Sequence, residues 1–356
     1  MKKFFLLVPV AALAMTACTS ESNEFVGDSR QQTREIAFMP LAQNPTRTTV
    51  QYAQDGTTFP TTNSMYVAAY DVTNGDNFFE ATKFDNSGEA STTNASINKW
   101  TGGRFWPLST TTINFLAYTG FNGTAGDEVN GATWGAKYAS QVELVMTNNS
   151  TAQKDLMYAC GTGAVTKTGN SVTYPEVPMS FKHAQAWISF NANTTSTCGG
   201  KVTLNSITLN GASYSGTYTV THTGYDGSVA QSVSGAWSSL GAKGSVAGGD
   251  ETAVAVQGWT PAAIAYASSG NGVSVGHGIM IVPDDTSTGD FRSFTINYSI
   301  DGSNVTYDFE YTPASTNIAQ NQHFIYNIVF NLHQIEIVPS VVDWTPDTDT
   351  TVNIPE

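Results

Sequence analysis

The strongest constraint in this sequence is an alternation of period two that recurs along most of its length. Val305, Tyr307, Phe309 and Tyr311 alternate with Thr306, Asp308, Glu310 and Thr312, the pattern of a strand with one apolar and one polar face. Ala186, Ile188 and Phe190 alternate with Trp187, Ser189 and Asn191 in the same way. Phe324, Tyr326, Ile328, Phe330 and Leu332 form another such run, and Ile335 and Ile337 lead on to Val341, Val342 and Trp344. Shorter apolar segments, residues 36–41, 65–72, 113–118, 155–159 and 172–174, also read as strands. Residues 278–283 are apolar enough for a central strand. In residues 202–209 the apolar phase slips from Val202 and Leu204 to Ile207 and Leu209, as a β-bulge would make it. Residues 120–139 show no clear pattern, and residues 211–276, rich in Gly, Ser and Ala, read as long loops with short strands. No helical periodicity persists beyond a turn or two. The expectation is an all-β chain in two sandwich-like domains, divided near residue 180 where the chain pauses at Pro175 and Pro178.

The first residues are not part of that fold. Lys2 and Lys3 precede a short apolar run, Phe4 to Met15, and the small residues Thr16 and Ala17 before Cys18; this is the build of an export signal. The run is shorter than the ~20 residues that span a bilayer. Met15-Thr16-Ala17-Cys18 resembles a lipobox with Met in place of the usual Leu, which makes Cys18 the lipidated N-terminus of a bacterial envelope lipoprotein. The alternative is an ordinary signal peptide with a bystander cysteine. Residues 1–18 are therefore read as signal, 19–33 as a polar tether, 34–180 as the N-terminal domain and 181–356 as the C-terminal domain.

Composition narrows the function. With 15 basic and 29 acidic residues the net charge is −14, and losing Lys2 and Lys3 makes the mature chain more acidic still. Nucleic acid and anionic membrane surfaces are poor partners for such a chain. Charged residues are only 12% of the total, so Thr, Ser, Asn and Gly fill the exposed strand positions, as in secreted β-proteins. Cys160 and Cys198 form at most one disulfide and read more readily as small buried hydrophobes.

Catalytic signals are weak. Gly272-Val273-Ser274-Val275-Gly276 matches the nucleophile-elbow pattern, but that elbow needs a helix straight after the serine, and here a strand follows. The histidines, His183, His222, His277, His323 and His333, have no zinc spacing, and His183 reads as a packed or hydrogen-bonded residue. Asp284-Asp285 and Asp347-Thr348-Asp349 are too few oxygens for Ca²⁺. The expectation is no enzyme, no metal and no cofactor. Trp100, Trp106, Trp134, Trp237 and Trp259 lie near loops; they serve either as core caps or as a glycan platform.

The order of short signatures is itself informative. Arg104-Phe105-Trp106-Pro107-Leu108, Ile113-Asn114-Phe115-Leu116-Ala117-Tyr118 and Asp155-Leu156-Met157-Tyr158-Ala159 precede Met179-Ser180-Phe181-Lys182-His183-Ala184-Gln185-Ala186. Residues 279–283, 322–330 and Val342-Asp343-Trp344 follow. Together, over about residues 34–345, they resemble the fimbrillin-like family, whose members are shaft, tip or anchor subunits of type V pili. The resemblance implies two transthyretin-like β-sandwiches, export as a lipoprotein acylated (palmitate) on Cys18, and a place in the outer membrane or the surface fimbrium. It also implies a mechanism. A trypsin-like envelope protease cuts in the loop after the first strand, here between Arg47 and Thr48, and a strand from another pilus subunit fills the groove left behind. The donor is the C-terminal stretch, with Ile335, Ile337, Val341 and Val342 supplying apolar side chains. A ligand on a host or bacterial surface is a further partner for a tip subunit.

The residues support this independently. Arg47 sits in a polar segment with Pro45, the kind of loop proteases reach. Losing residues 36–41 would bare unpaired backbone and an apolar trough. Refilling it with about five side chains is worth roughly 7–15 kcal/mol, an upper bound. Arg30 and Arg34 are rival cleavage sites, and the alternative function is a monomeric surface lipoprotein that binds glycans.

Overall fold

The computed structural model describes residues 34–42, 64–95, 97–121, 132–147, 155–240, 254–268, 272–283, 291, 293–300, 306–313, 318–331 and 335–343. Among them there is no α-helix, only a 3-10 turn at Tyr138–Ser140, and no helix long and apolar enough to cross a membrane. The chain is all-β. Its first strands are β1 (Glu35–Ala42), β2 (Met65–Asp71), β3 (Asp76–Ala90), β4 (Asn98–Phe105) and β5 (Thr111–Phe121). They are followed by β6 (Ala132–Trp134), β7 (Gln141–Thr147), β8 (Asp155–Thr168), β9 (Ser171–Thr173) and β10 (Val177–His183).

Eight of these strands form one sheet in the order β10-β1-β4-β3-β2-β5-β8-β9, and β10 also pairs with β8, so the sheet closes on itself. Alternation decides what fills the ring. Met65 and Val67, Ile113 and Phe115, Met157 and Ala159, and Met179 and Phe181 all point into one core with Ile36 and Phe38 of β1. The residues between them are apolar as well: Leu116, Tyr118, Leu156 and Tyr158 belong to a second core on the outside of the ring. Strands buried on both faces read as continuous apolar runs, which is why this stretch is so evident in the sequence.

That outer core is covered by a four-stranded sheet, β14-β13-β7-β6, in which β13 (Ser215–Thr223) and β14 (Ser232–Ser238) join strands from much earlier in the chain. Tyr218, Val220 and Val233 face Val142, Leu144 and the ring. A polar network ties the β13–β14 hairpin down. Asn114 Nδ2 donates to the carbonyls of Gly224 (3.3 Å) and Tyr225 (2.8 Å). This turns its Oδ1 toward Thr162 Oγ1 (2.8 Å) and Gln231 Nε2 (2.6 Å). Gln231 Oε1 then meets His222 Nε2 at 3.0 Å, while Nδ1 of that ring lies 2.8 Å from the Ala139 carbonyl.

The C-terminal strands make a sandwich. One sheet contains β11 (Ala186–Thr194), β17 (Val273–Ser274), β18 (Ile279–Ile281), β21 (Gln322–Phe330) and β22 (Ile335–Asp343); the other contains β12 (Val202–Asn210), β15 (Val254–Ala255), β16 (Ala262–Ala263), β19 (Ser293–Ile300) and β20 (Thr306–Tyr311). Ile188, Phe190, Tyr326 and Phe330 from the first meet Leu204, Leu209, Phe294 and Ile296 from the second. The register of β12 shifts between Leu204 and Ser206, and Val202, Leu204, Ile207 and Leu209 consequently share one core. The bulge absorbs the extra residue without turning the strand over. One reading needs correction. Residues 279–281 form a short strand that, among the described residues, pairs only with β11, not a central one. They are apolar because Ile279 and Ile281 enter the sandwich core while Met280 packs on Trp187. The alternating β20 pairs with β19 alone among the described residues, with Phe309 and Tyr311 packed on the sandwich core and Tyr307 exposed.

On the outer face of this sandwich His323 stacks on Trp187 (ring centroids 3.9 Å apart) and its Nε2 lies 2.7 Å from Ser189 Oγ. Burial pushes its pKa down to about 3, and burial lowers that of His222 as well. With a free-chain value of about 6.5, each group takes up a proton on unfolding. The stability it lends is complete above about pH 6.5 and is lost progressively as pH falls from there toward its folded value. Between pH 6.5 and 5, His323→Gln is expected to flatten the slope of unfolding free energy against pH by up to about 1.4 kcal/mol per pH unit. Denaturant titrations at stepped pH measure it; an unchanged slope would mean the ring is not held neutral.

Residues 35–356 form one compact unit. The chain crosses from ring to sandwich at the β10–β11 corner, and this corner is polar. His183 Nδ1 lies 2.8 Å from Asp155 Oδ1, both side chains being buried. Gln185 Oε1 accepts the Leu156 N–H (2.7 Å), and the Gln185 carbonyl accepts the Asn321 N–H (2.9 Å). Asn321, with φ at +61°, returns its Oδ1 to the His183 N–H (3.2 Å). His183 is thus the packed, hydrogen-bonded residue its position in the sequence implied.

Candidate functional site

The feature of the ring that invites function is β1. It is the first strand among the described residues, and it sits between two others. Its first half runs antiparallel to β4, pairing Glu35 with Phe105, Ala37 with Thr101 and Phe38 with Trp100. Its second half runs parallel to β10, pairing Phe38 through Ala42 with Val177 through Phe181. Only at Phe38 do the two ladders overlap. Pro40, which has no N–H to give, falls in the stretch paired to β10 alone, where the missing donor is tolerated.

Side chains hold the strand more firmly than its length suggests. Ile36 and Phe38 are fully buried, and Ala37 and Met39 nearly so. The Phe38 ring stands edge-on to Phe84 (4.8 Å) and to Phe115 (5.0 Å), the geometry aromatic quadrupoles prefer. Phe115 in turn meets Trp106 edge-on at 5.9 Å. At the start of the strand Glu35 Oε1 accepts the Gly103 N–H (2.9 Å). Near the far end Ser91 Oγ lies 2.7 Å from Met39 Sδ and donates to Glu176 Oε2 at 2.6 Å. Glu176 also accepts the Thr92 N–H (3.0 Å). Burial alone would raise the Glu176 carboxyl, but the hydrogen bonds from Ser91, Thr92 and Thr93 outweigh it and hold the group below the usual carboxylate range. Burying Ile36, Phe38 and Met39 is worth roughly 5–9 kcal/mol, again an upper bound.

Taken out, β1 would leave a slot with open backbone on β4 and β10 and a trough lined by Phe84, Phe115, Met179 and Phe181. A slot of that kind binds an extended segment through main-chain hydrogen bonds, with alternate side chains setting specificity. β22 is the other strand of interest. It is an edge strand, antiparallel to β21 from Ile335 opposite Phe330 to Asp343 opposite Gln322, with no second neighbour among the described residues. Ile335 and Ile337 pack partly against the sandwich core; for Val341 and Val342 only the backbone is described, opposite Phe324 and His323. Cys18, Arg30, Arg47 and Thr48 lie outside the described residues.

The rival chemistries find little here. Ser274 lies on the two-residue strand β17, opposite Asn191, and leads through Gly276 and Gly278, both at positive φ, into β18 instead of a helix. Trp100 and Trp106 are fully buried core residues. The indoles of Trp237 and Trp259 donate to the Ala184 (2.7 Å) and Leu204 (3.1 Å) carbonyls, so their polar edges are already used. Cys160 and Cys198 are both free thiols, the second fully buried.

A closed β-ring that takes in the first described strand, joined to a β-sandwich, defines the class. The sequence model of the fimbrillin-like family matches residues 46–344, and the chain belongs to that family. No curated protein matches it. Among solved structures it is similar to a candidate cell adhesion protein from Bacteroides ovatus, at 11% identity, TM-score 0.50, covering 89% of this chain and 99% of that one. It is also similar to a fimbrial protein from Bacteroides vulgatus, at 15% identity and TM-score 0.49, covering 87% and 99%. A third is the tip fimbrial protein from Porphyromonas gingivalis with C-terminal truncation, at 12% identity and TM-score 0.39, covering 87% and 99%. Family membership supports a pilus-subunit role at the cell surface.

Proposed function

We propose that this protein is a non-enzymatic subunit of a surface pilus, exported as a lipoprotein acylated on Cys18 and assembled by strand exchange at the β1 slot. A trypsin-like envelope protease cuts between Arg47 and Thr48, β1 leaves, and a strand from another pilus subunit takes its place. The C-terminal stretch that begins with β22 is this chain's own candidate donor, through Ile335, Ile337, Val341 and Val342. Residues 34–180 and 181–356 make up its two transthyretin-like domains, the β13–β14 hairpin of the second lying over the ring of the first. The lipid on Cys18 places the precursor at the outer membrane.

One observation carries the reading: the strand nearest the N-terminus is at once deeply buried and joined to β2 by a segment that contains Arg47. Removing it by one cut leaves every other strand covalently intact. The test is Arg47→Gln in cells that make the filament. The parent is expected to yield filaments with Thr48 at the N-terminus and SDS-resistant ladders; the variant should yield neither. A terminus at Glu35 would mean cleavage after Arg34, which leaves β1 in place and defeats the proposal. An uncut monomer beginning at Cys18 and binding carbohydrate would favour the glycan-binding alternative.

A further inference from the structure

The slot has a shape, and that shape is selective. We infer that the site vacated by Phe38 is an aromatic specificity pocket, and that it directs the slot toward a strand of a different polypeptide over a second copy of this chain's own C-terminal strand. The inference rests on the strand-exchange reading above.

The pocket is built by residues that stay when β1 goes. Phe84 comes from β3 and Phe115 from β5, and Trp106, which follows β4, backs Phe115. All three are fully buried and fixed by the core of the ring, so the hole they leave keeps the outline of a phenyl ring. A smaller side chain there would forgo both edge-to-face contacts and leave a void. The flanking positions add two demands. Ala37, opposite Thr101, is nearly buried and leaves no room or solvent for a charge. Pro40 marks where pairing to β4 has ended. Read parallel to β10, a good occupant is apolar, small, aromatic and apolar, with a proline accepted at the fifth site.

The C-terminal stretch meets that specification poorly in the two alignments that set an apolar residue on the site of Ile36 and a proline on that of Pro40. Setting Ile335, Ile337 and Pro339 on the sites of Ile36, Phe38 and Pro40 puts Ile in the aromatic pocket and Glu336 on the site of Ala37. Moving along so that Val342, Trp344 and Pro346 take those sites supplies an aromatic ring, but one larger than phenyl, and puts Asp343 on the site of Ala37. Both carry a carboxylate into a nearly dry position. A chain whose acceptor slot rejects its own donor does not extend into a homopolymer; it takes its partner from another subunit.

The experiment uses the full chain with a specific protease site placed within residues 43–47, so that the nick is made whether or not the native protease cuts there. Labelled peptides are then exchanged against the resident β1 and followed by fluorescence anisotropy. The peptide Glu35–Ala42 is expected to bind; its Phe38→Ala form should bind at least about 100-fold more weakly, and a peptide of residues 335–346 at least about 10-fold more weakly. Equal capture of the 335–346 peptide, or an alanine form that binds like the parent, would overturn the selectivity while leaving the slot itself standing. A nicked chain that captures no peptide at all would overturn the slot, and this inference with it.

Discussion

Phe38→Ala in the intact, uncut chain is expected to destabilise the ring by about 3–5 kcal/mol, the range for emptying a phenylalanine site in a rigid core. The value belongs at the upper end of core substitutions because the ring is fully buried and loses two edge-to-face partners at once. The neighbouring positions calibrate it. Ile36→Val removes one methyl from the same core and should cost about 0.5–1.5 kcal/mol. Leu41→Ala, at a half-buried position where β1 pairs only with β10, should cost less than Phe38→Ala. Hydrogen exchange is the measurement to use, because the chain holds more than one core and need not unfold in a single step. Amides of residues 100–105 and 177–181 should lose protection in Phe38→Ala, while those of β11 and β21 keep theirs. Loss spread evenly over ring and sandwich would mean β1 has no separate release step, and strand exchange at that site would have no physical basis.

The sequence revealed strands where packing made them simple. The runs through residues 65–71, 113–118 and 155–159 stand out because both faces are buried, one in the ring and one under the outer sheet. The bulge in β12 was visible as a slip of phase because its two halves serve one core. Other elements were hidden for definite reasons. β3 is long but mostly exposed and its pairing shifts register more than once, so no steady alternation survives. β13 is masked by the Gly- and Ser-rich composition around it, although Tyr218, Val220 and His222 alternate with Thr217, Thr219, Thr221 and Thr223, buried against exposed or half-exposed. Threonine on the solvent face is the signal that deserved more weight. That β7, β13 and β14 share a sheet is a long-range pairing no local pattern encodes. For the site, the sequence identified residues 36–41 as the first strand and an apolar one. It did not show that the strand is staggered between β4 and β10, nor that Phe38 is its anchor, since both follow from partners far away in the chain.

The second large effect is expected at the β10–β11 corner, where Asp155→Ala should cost about 3 kcal/mol, the lower end for breaking a buried charged contact by removing one side. A carboxylate oxygen accepts, so in the 2.8 Å contact the His183 Nδ1–H donates to Asp155 Oδ1. With alanine in its place that N–H is left in a buried corner without its acceptor. Asp155→Asn keeps an oxygen in the same position and should recover most of the loss, which separates the hydrogen bond from mere volume. The position matters for assembly because β10 changes partners here: Phe181 pairs with Ala42 of β1, while Lys182 and His183 pair with Tyr158 and Met157 of β8. Once β1 has gone, the pairing at residues 182–183 and the Asp155–His183 contact help the Ala184–Leu156 and Gln185–Leu156 hydrogen bonds to keep β10 against β8. A slot wall that drifts must be reordered before it can accept a strand, and that cost is taken from the affinity of the complex. Asp155→Ala is therefore expected to slow and weaken capture of the Glu35–Ala42 peptide by the nicked chain, although the residue touches no part of β1 in the register described. Capture at the parental rate, in a variant shown by denaturation to have lost the stability predicted, would confine the corner to a purely structural role.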